Sequence, residues 1–165
     1  MLLDRARLLF DKSLEIDSGY RASFVTALQD YDGLYSDEED DQIKDGLGRL
    51  KDFDGLPNKK ELKSASLLAT FETALKKGER SGFGKSSAVV RASPQQILAY
   101  HWDFLARHLR DPNAIDKHVI EEVNDHNKLI HRTQVIPNPI LDREFVMRFL
   151  WKNLEATSTT YAFVI

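Results

Sequence analysis

The five histidines are the residues with the clearest capacity for metal or proton chemistry in this chain. They are His101, His108, His118, His126 and His131. A helical metal-binding pair places its two ligands about four residues apart, and no two of these histidines have that spacing. On one strand, His126 and His131 would face opposite sides, because side chains alternate along a strand. The sequence therefore predicts no metal site.

A glycine-rich segment at residues 78–86 has some features of a phosphate-binding P-loop. A P-loop keeps about four residues between its first glycine and the Gly-Lys pair, and Gly78 stands one residue too far from Gly84 and Lys85. Residues 86–90 also continue as a strand, where a P-loop would begin a helix. We interpret the segment as the turn of a β-hairpin, and the sequence predicts no cofactor.

The sequence also lacks a recognisable pattern of catalytic nucleophiles or acid–base pairs. No serine lies in a Gly-x-Ser-x-Gly elbow, and the chain has no cysteine. Glu121, Glu122 and Asp125 have the carboxylates that acid–base catalysis needs. Glu121 and Glu122 would face opposite sides of a strand, which favours one buried and one solvated carboxylate. An enzyme that uses Glu121 with His131 stays open, but we expect a protein without catalytic activity.

Composition and charge exclude several classes of protein. The chain has 165 residues, of which 42% are hydrophobic and 30% charged, as in an ordinary globular domain. Its 23 basic and 26 acidic residues give a net charge of −3, without the basic surplus that nucleic-acid binding favours. No apolar run approaches the ~18–20 residues of a membrane span, and the first residues lack a signal-peptide pattern. We expect a cytoplasmic protein with no nucleic-acid partner.

The pattern changes along the chain from helical to strand-rich. Ser36 with Glu39 forms a capping-box signature inside the helical part, and Ser93 with Gln96 starts a later helix that should reach about residue 108. Strands are predicted at residues 67–75, 85–92, 117–123, 128–136, 143–154 and 158–165. This order predicts an α+β fold with an antiparallel sheet. A helical N-terminal extension (residues 1–60) would precede a second unit (residues 62–165).

The strand at residues 143–154 has the clearest two-residue alternation. One of its faces carries Phe145, Met147, Phe149 and Trp151. The neighbouring strands add two further sets: Leu129, His131, Thr133 and Val135, and then Thr159, Tyr161, Phe163 and Ile165. Together they predict an apolar sheet face. Such a face is either core against the helix that starts at Ser93, which the pattern alone favours, or the wall of a cavity for a lipid-like ligand.

Several of these segments resemble the START domain, the StAR-related lipid-transfer family. Residues 89–98 (VVRASPQQIL) look like that family's strand-to-helix transition. The segments similar to its next strands are residues 122–126 (EVNDH), Pro137-Asn138-Pro139, and Arg143-Glu144-Phe145-Val146 with Trp151. The resemblance covers roughly residues 66–165.

The resemblance implies a helix-grip fold, in which a curved antiparallel sheet wraps around a long C-terminal helix. A lipid or sterol would be held non-covalently between them and exchanged through transient membrane contact. The cavity candidates on this basis are His131, Phe145, Met147, Phe149, Trp151 and Tyr161, whereas Arg143 and Glu144 would fix their strand. The sequence ends in an apolar strand before the family's C-terminal helix. We therefore expect residues 62–165 to be a partial START-like domain in a fragment of a longer protein.

A protein-docking function also stays open. A START-like domain with a filled core would bind another protein and no lipid, and the acidic residues 37–41 would then be available to a basic partner. We favour helix capping as the role of those acids, because the helix dipole stabilises negative charge in the first turn.

Overall fold

The computed structural model describes residues 18–29, 31, 33–64, 67–75, 78, 82–104, 114–135, 141–155 and 160–165. The described helices are α1 (Ser18–Gln29), α2 (Asp37–Gly55) and α3 (Pro94–Trp102), and none of them is long and apolar enough to cross a membrane. The described strands are β1 (Lys60–Leu62), β2 (Ala69–Leu75), β3 (Gly82–Ala88), β4 (Ala114–Asn124), β5 (Asn127–Gln134), β6 (Arg143–Asn153) and β7 (Tyr161–Val164). The predicted α+β class is confirmed. Several predicted features lie outside the described residues. They are the first 17 residues of the helical extension, His108, residues 137–139 and Thr159.

The described strands form two antiparallel sheets, ordered β1-β2-β3 and β4-β5-β6-β7. β2 and β3 pair from Ala69↔Ala88 to Leu75↔Gly82, so the glycine-rich segment joins the two strands of a hairpin, as predicted. β1 has three exposed residues and pairs with β2. The sequence pattern did not predict β1, because three residues are too few to display an alternation.

Both predicted capping boxes are present. At α2, the Ser36 hydroxyl accepts a hydrogen bond from Glu39 N (3.3 Å), and the Glu39 carboxylate accepts one from Ser36 N (2.9 Å). At α3, Ser93 and Gln96 form the same reciprocal pair at 3.2 and 2.8 Å. These bonds satisfy amide groups that a helix start leaves unpaired, so the local sequence sets where both helices begin.

Helices cover both faces of the four-stranded sheet. On one face, which we call the α1/α3 face, the buried cluster consists of Leu28, Leu98, Trp102, Phe104, Ile130, Phe149 and Trp151. On the other, the α2 face, Ile43 of α2 packs against Leu150 and Ala162. α1 and α2 come from the N-terminal residues, so part of the predicted extension lies directly on the sheet. The domain boundary after residue 60 stays a prediction.

Polar contacts hold α2 in place at both of its ends. Lys152 Nζ of β6 lies 2.5 Å from Asp40 Oδ1, near the start of the helix. Near its end, Lys85 Nζ of β3 lies 2.5 Å from Asp54 Oδ1. α2 therefore contacts strands of both sheets.

Candidate functional site

The register of the four-stranded sheet decides which predicted residues share a face. Across β5 and β6 the partners are Phe145↔Arg132, Met147↔Ile130 and Phe149↔Lys128. Across β6 and β7 they are Trp151↔Phe163 and Asn153↔Tyr161. Partners in an antiparallel pair lie on the same face. The α1/α3 face therefore brings together five of the six cavity candidates, namely Phe145, Met147, Phe149, Trp151 and Tyr161.

His131, the sixth candidate, lies on the opposite face. It pairs with Val146 of β6 and with His118 of β4. Placing it with the apolar set was wrong, because β5 has apolar residues at both parities, Leu129 and Ile130, and alternation alone leaves its phase undecided. The residues that β5 contributes to the α1/α3 face are instead Lys128, Ile130 and Arg132.

Arg143 and Glu144 begin β6, and both are exposed. Their partners on β5 are Gln134 and Thr133. Their role in fixing this strand stays a prediction.

The α1/α3 face is closed at one end and accessible at the other. Phe149 and Trp151 are each 1% exposed. Phe104 packs edge-on against Phe149 with ring centroids 5.3 Å apart, and Phe24 of α1 packs edge-on against Trp151 at 6.0 Å. Towards the start of β6 the burial decreases, and Phe145 is 36% exposed. One end of the face is therefore core and the other is apolar surface.

A cavity of about 380 Å³ lies beside the closed end, between α1, α3 and the β4–β5 turn. Its apolar wall consists of Phe24, Ala27, Leu28, Trp102 and Trp151, and its polar wall of Tyr31, Glu122, Asn124 and Asp125. The volume is within the ~300–1,000 Å³ range of ligand pockets. Of the cavity candidates, only Trp151 lines it. The wall residues from α1 were not predicted, because an apolar stripe on a helix usually indicates core.

A buried hydrogen-bond network lies behind the polar wall. Glu39 of α2 is 4% exposed, and its carboxylate accepts hydrogen bonds from Asn127 (2.6 Å) and Asn124 (3.1 Å). His126 Nε2 lies 3.2 Å from the same carboxylate, and His126 Nδ1 contacts the Tyr31 hydroxyl. The network therefore connects the cavity wall to the start of α2. The sequence predicts Glu39 only as part of the cap of α2, and no pattern in the sequence links it to residues 124–127.

Two opposing effects act on the pKa of Glu39. Burial alone would raise it, because a carboxylate is less stable away from water. The hydrogen bonds from Ser36 N and from the Asn127, His126 and Asn124 side chains outweigh burial and lower the pKa to about 2. Glu39 is therefore charged at neutral pH, and we interpret the network as a structural link.

Lys128 is a buried cation on the α1/α3 face. Its Nζ donates a hydrogen bond to Trp102 O (2.5 Å) and lies 3.9 Å from the centroid of the Trp102 ring. Burial lowers the pKa of this amine to about 8, against the raising effect of the Glu122 and Asp103 charges. The hydrogen bond and the cation–π contact join β5 to the end of α3.

Comparison with solved structures identifies the fold. A STAR-related lipid transfer protein from Xanthomonas axonopodis matches with a TM-score of 0.51 and 12% identity, over 58% of this chain and 53% of that one. Human StAR-related lipid transfer protein 5 matches with a TM-score of 0.53 and 11% identity, over 73% of this chain and 59% of that one. The predicted START-like fold is confirmed. This chain spans less than two thirds of the length of either structure. No protein-family model and no curated protein matches the chain.

Proposed function

We propose that this chain is the binding module of a lipid carrier and holds its ligand non-covalently, without catalysis, at the α1/α3 face. The observation that carries the proposal is the apolar face itself, on which five cavity candidates lie together beside a cavity of about 380 Å³. The START-like fold supports it, because the Xanthomonas axonopodis and human structures compared above are both lipid transfer proteins by name.

The walls of the cavity favour a ligand with a large apolar body and a small polar group, such as a sterol. The rings of Phe24, Trp102 and Trp151 would cover the apolar body. Each 100 Å² of apolar ligand surface that they remove from water contributes about 2.5 kcal/mol. The polar wall, which includes Asn124, would accept a hydrogen bond from a ligand hydroxyl or donate one to it. The carrier would work in the cytoplasm and collect its ligand through transient membrane contact.

A protein-docking module is the second candidate. The observation in its favour is the burial of Phe149 and Trp151, because the closed end of the α1/α3 face is packed core outside the cavity of about 380 Å³. The acidic start of α2 is a weak docking site, since Glu39 binds Asn127 and Asp40 pairs with Lys152 within the chain.

Two substitutions on one helix separate these functions. Ala27 lines the cavity, so Ala27→Phe places a ring in the space proposed for the ligand. Ala22 is an exposed residue of α1 outside the cavity lining, so Ala22→Phe adds the same ring at a matched position. A fluorescent sterol and a fluorescent phosphatidylcholine would be titrated separately into the chain and both variants.

We expect the unmodified chain and Ala22→Phe to bind one of the probes with equal affinity. Ala27→Phe should bind it at least ~10-fold more weakly, a loss of about 1.4 kcal/mol. Circular dichroism and thermal unfolding would establish that all three proteins are folded. A folded chain that binds neither probe would contradict lipid binding and favour the docking module.

A further inference from the structure

Three potential metal ligands meet on the α2 face, on the side of the sheet away from the proposed lipid site. His118 of β4 and His131 of β5 are direct partners across the two strands, and their rings stack with centroids 4.7 Å apart. Asp116 stands two residues before His118, so its side chain lies on the same face. One ligand atom from each of the three residues lies within 4.8 Å of the other two.

The distances match those of a small metal centre. Asp116 Oδ2 lies 3.3 Å from His118 Nδ1 and 3.4 Å from His131 Nδ1. In a tetrahedral site with metal–ligand bonds of ~2.0–2.1 Å, neighbouring donor atoms are about 3.3–3.4 Å apart. Two of the three donor separations therefore already have the values that a tetrahedral Zn²⁺ site requires.

The hydrogen bonding of His131 supports the same conclusion. His131 Nδ1 is buried, yet it makes no hydrogen bond with any part of the chain that the structure describes. A buried polar atom without a hydrogen bond is uncommon in proteins. Asp116 Oδ2 approaches His131 Nδ1 to 3.4 Å without forming a hydrogen bond, and an ion bound between the two atoms would satisfy both. Asp116 and His118 are 54% and 55% exposed, so an ion and a water ligand can reach the cluster from solvent.

We propose that Asp116, His118 and His131 form a binding site for a divalent transition metal of the Zn²⁺ class. Two imidazoles and one carboxylate are the nitrogen and oxygen donors that such ions prefer, whereas Mg²⁺ and Ca²⁺ prefer oxygen donors alone. Three protein ligands leave the fourth position to water. The bound ion would join β4 to β5 near the edge of the sheet. Helical spacing of the histidines does not reveal this site, because pairing across strands brings together residues that are 13 positions apart.

Titration of ZnCl₂ into the chelator-treated chain, followed by calorimetry, tests the site. We expect one Zn²⁺ per chain, and saturation near a hundredfold excess over Kd should raise Tm by ~5–10 °C. His118→Ala and Asp116→Asn change exposed side chains, so both variants should fold and bind Zn²⁺ at least ~10-fold more weakly. His101→Ala removes a histidine from α3, outside the cluster, and should bind as the unmodified chain does.

Co²⁺ provides an independent readout, because tetrahedral coordination produces intense visible absorption bands that free Co²⁺ lacks. We expect these bands in the unmodified chain and their loss in His118→Ala. Two results would overturn the proposal: no Zn²⁺ binding by the folded chain at millimolar metal, or equal binding by the unmodified chain, His118→Ala and Asp116→Asn.

Discussion

Two glycines of α2 form a matched pair that tests how closely this helix approaches the sheet. At Gly46, an added Cβ would lie 2.9 Å from Val164 Cγ2 of β7. At Gly48, an added Cβ would meet nothing within 4 Å. Both positions are inside α2, so replacing either glycine by alanine improves helix propensity by about 1 kcal/mol. The two substitutions differ in the contact with Val164.

The expected difference in stability follows from that contact. Carbon atoms in favourable contact are about 3.5–4.0 Å apart, so a Cβ at 2.9 Å forces a neighbour to move. Val164 is β-branched and has a stiff χ1, so the helix or the strand must shift. Overpacking of this kind costs ~1–3 kcal/mol. We expect Gly48→Ala to stabilise the chain by about 1 kcal/mol, and Gly46→Ala to range from neutral to about 2 kcal/mol destabilising.

Urea unfolding, monitored by the fluorescence of the buried Trp102 and Trp151, measures this difference in stability. In thermal unfolding, each kcal/mol of difference should separate the Tm values of the variants by ~2–4 °C. In a Val164→Ala background, Gly46→Ala should recover most of the helix-propensity gain, because the clashing methyl group is gone. Equal stabilisation by Gly46→Ala and Gly48→Ala in the unmodified background would refute the close packing of α2 on β7.

Three further predictions concern buried side chains of the four-stranded sheet and α2. The folded pKa of Glu39, about 2, is below its ordinary 4.5, so its stabilisation is fully present above pH 4.5 and is lost as the pH falls towards 2. In urea unfolding between about pH 5 and pH 2, the unfolding free energy of the unmodified chain should therefore fall by up to about 3 kcal/mol more than that of Glu39→Gln. An equal fall in both proteins would contradict this role of Glu39. The folded pKa of Lys128, about 8, is below its ordinary 10.5, so the unfolded chain binds more protons between these values and stability rises with pH there. The unfolding free energy of Lys128→Met should therefore be the same at about pH 8 and pH 10. If it still rises between these values, another group causes the rise. Phe149→Ala should lower the unfolding free energy measured in urea by ~3–5 kcal/mol, and Phe145→Ala should lower it much less. The reason is that Phe149 is 1% exposed and Phe145 36%. Similar losses in the two variants would mean that both ends of β6 are equally buried.

Local patterns in the sequence predicted the elements that depend on neighbours along the chain. The capping boxes at Ser36 and Ser93 act within three residues, and they mark the starts of α2 and α3 as observed. The alternation in β6 is equally local, and it placed Phe145 to Trp151 on one face as the register does.

Features that depend on pairing between distant segments were not predicted. The phase of β5, and with it the face of His131, is decided by its register with β6. The bonds from Asn124 and Asn127 to Glu39 join residues more than 80 positions apart, and the pattern of a single sequence carries no signal for such contacts. The meeting of His118 with His131 has the same origin, since it depends on where the turn between β4 and β5 falls.

The attachment of the three-stranded sheet has a consequence for local unfolding. Most of its residues are exposed, and its main described contact with the rest of the chain is between β3 and α2. The ion pair between Lys85 of β3 and Asp54 of α2 lies at the surface, where solvent weakens it. Few buried contacts mean a low free energy of local opening. We therefore expect the amides of β1 to β3 to exchange with solvent through a subglobal opening in which the four-stranded sheet, covered by helices on both faces, stays folded.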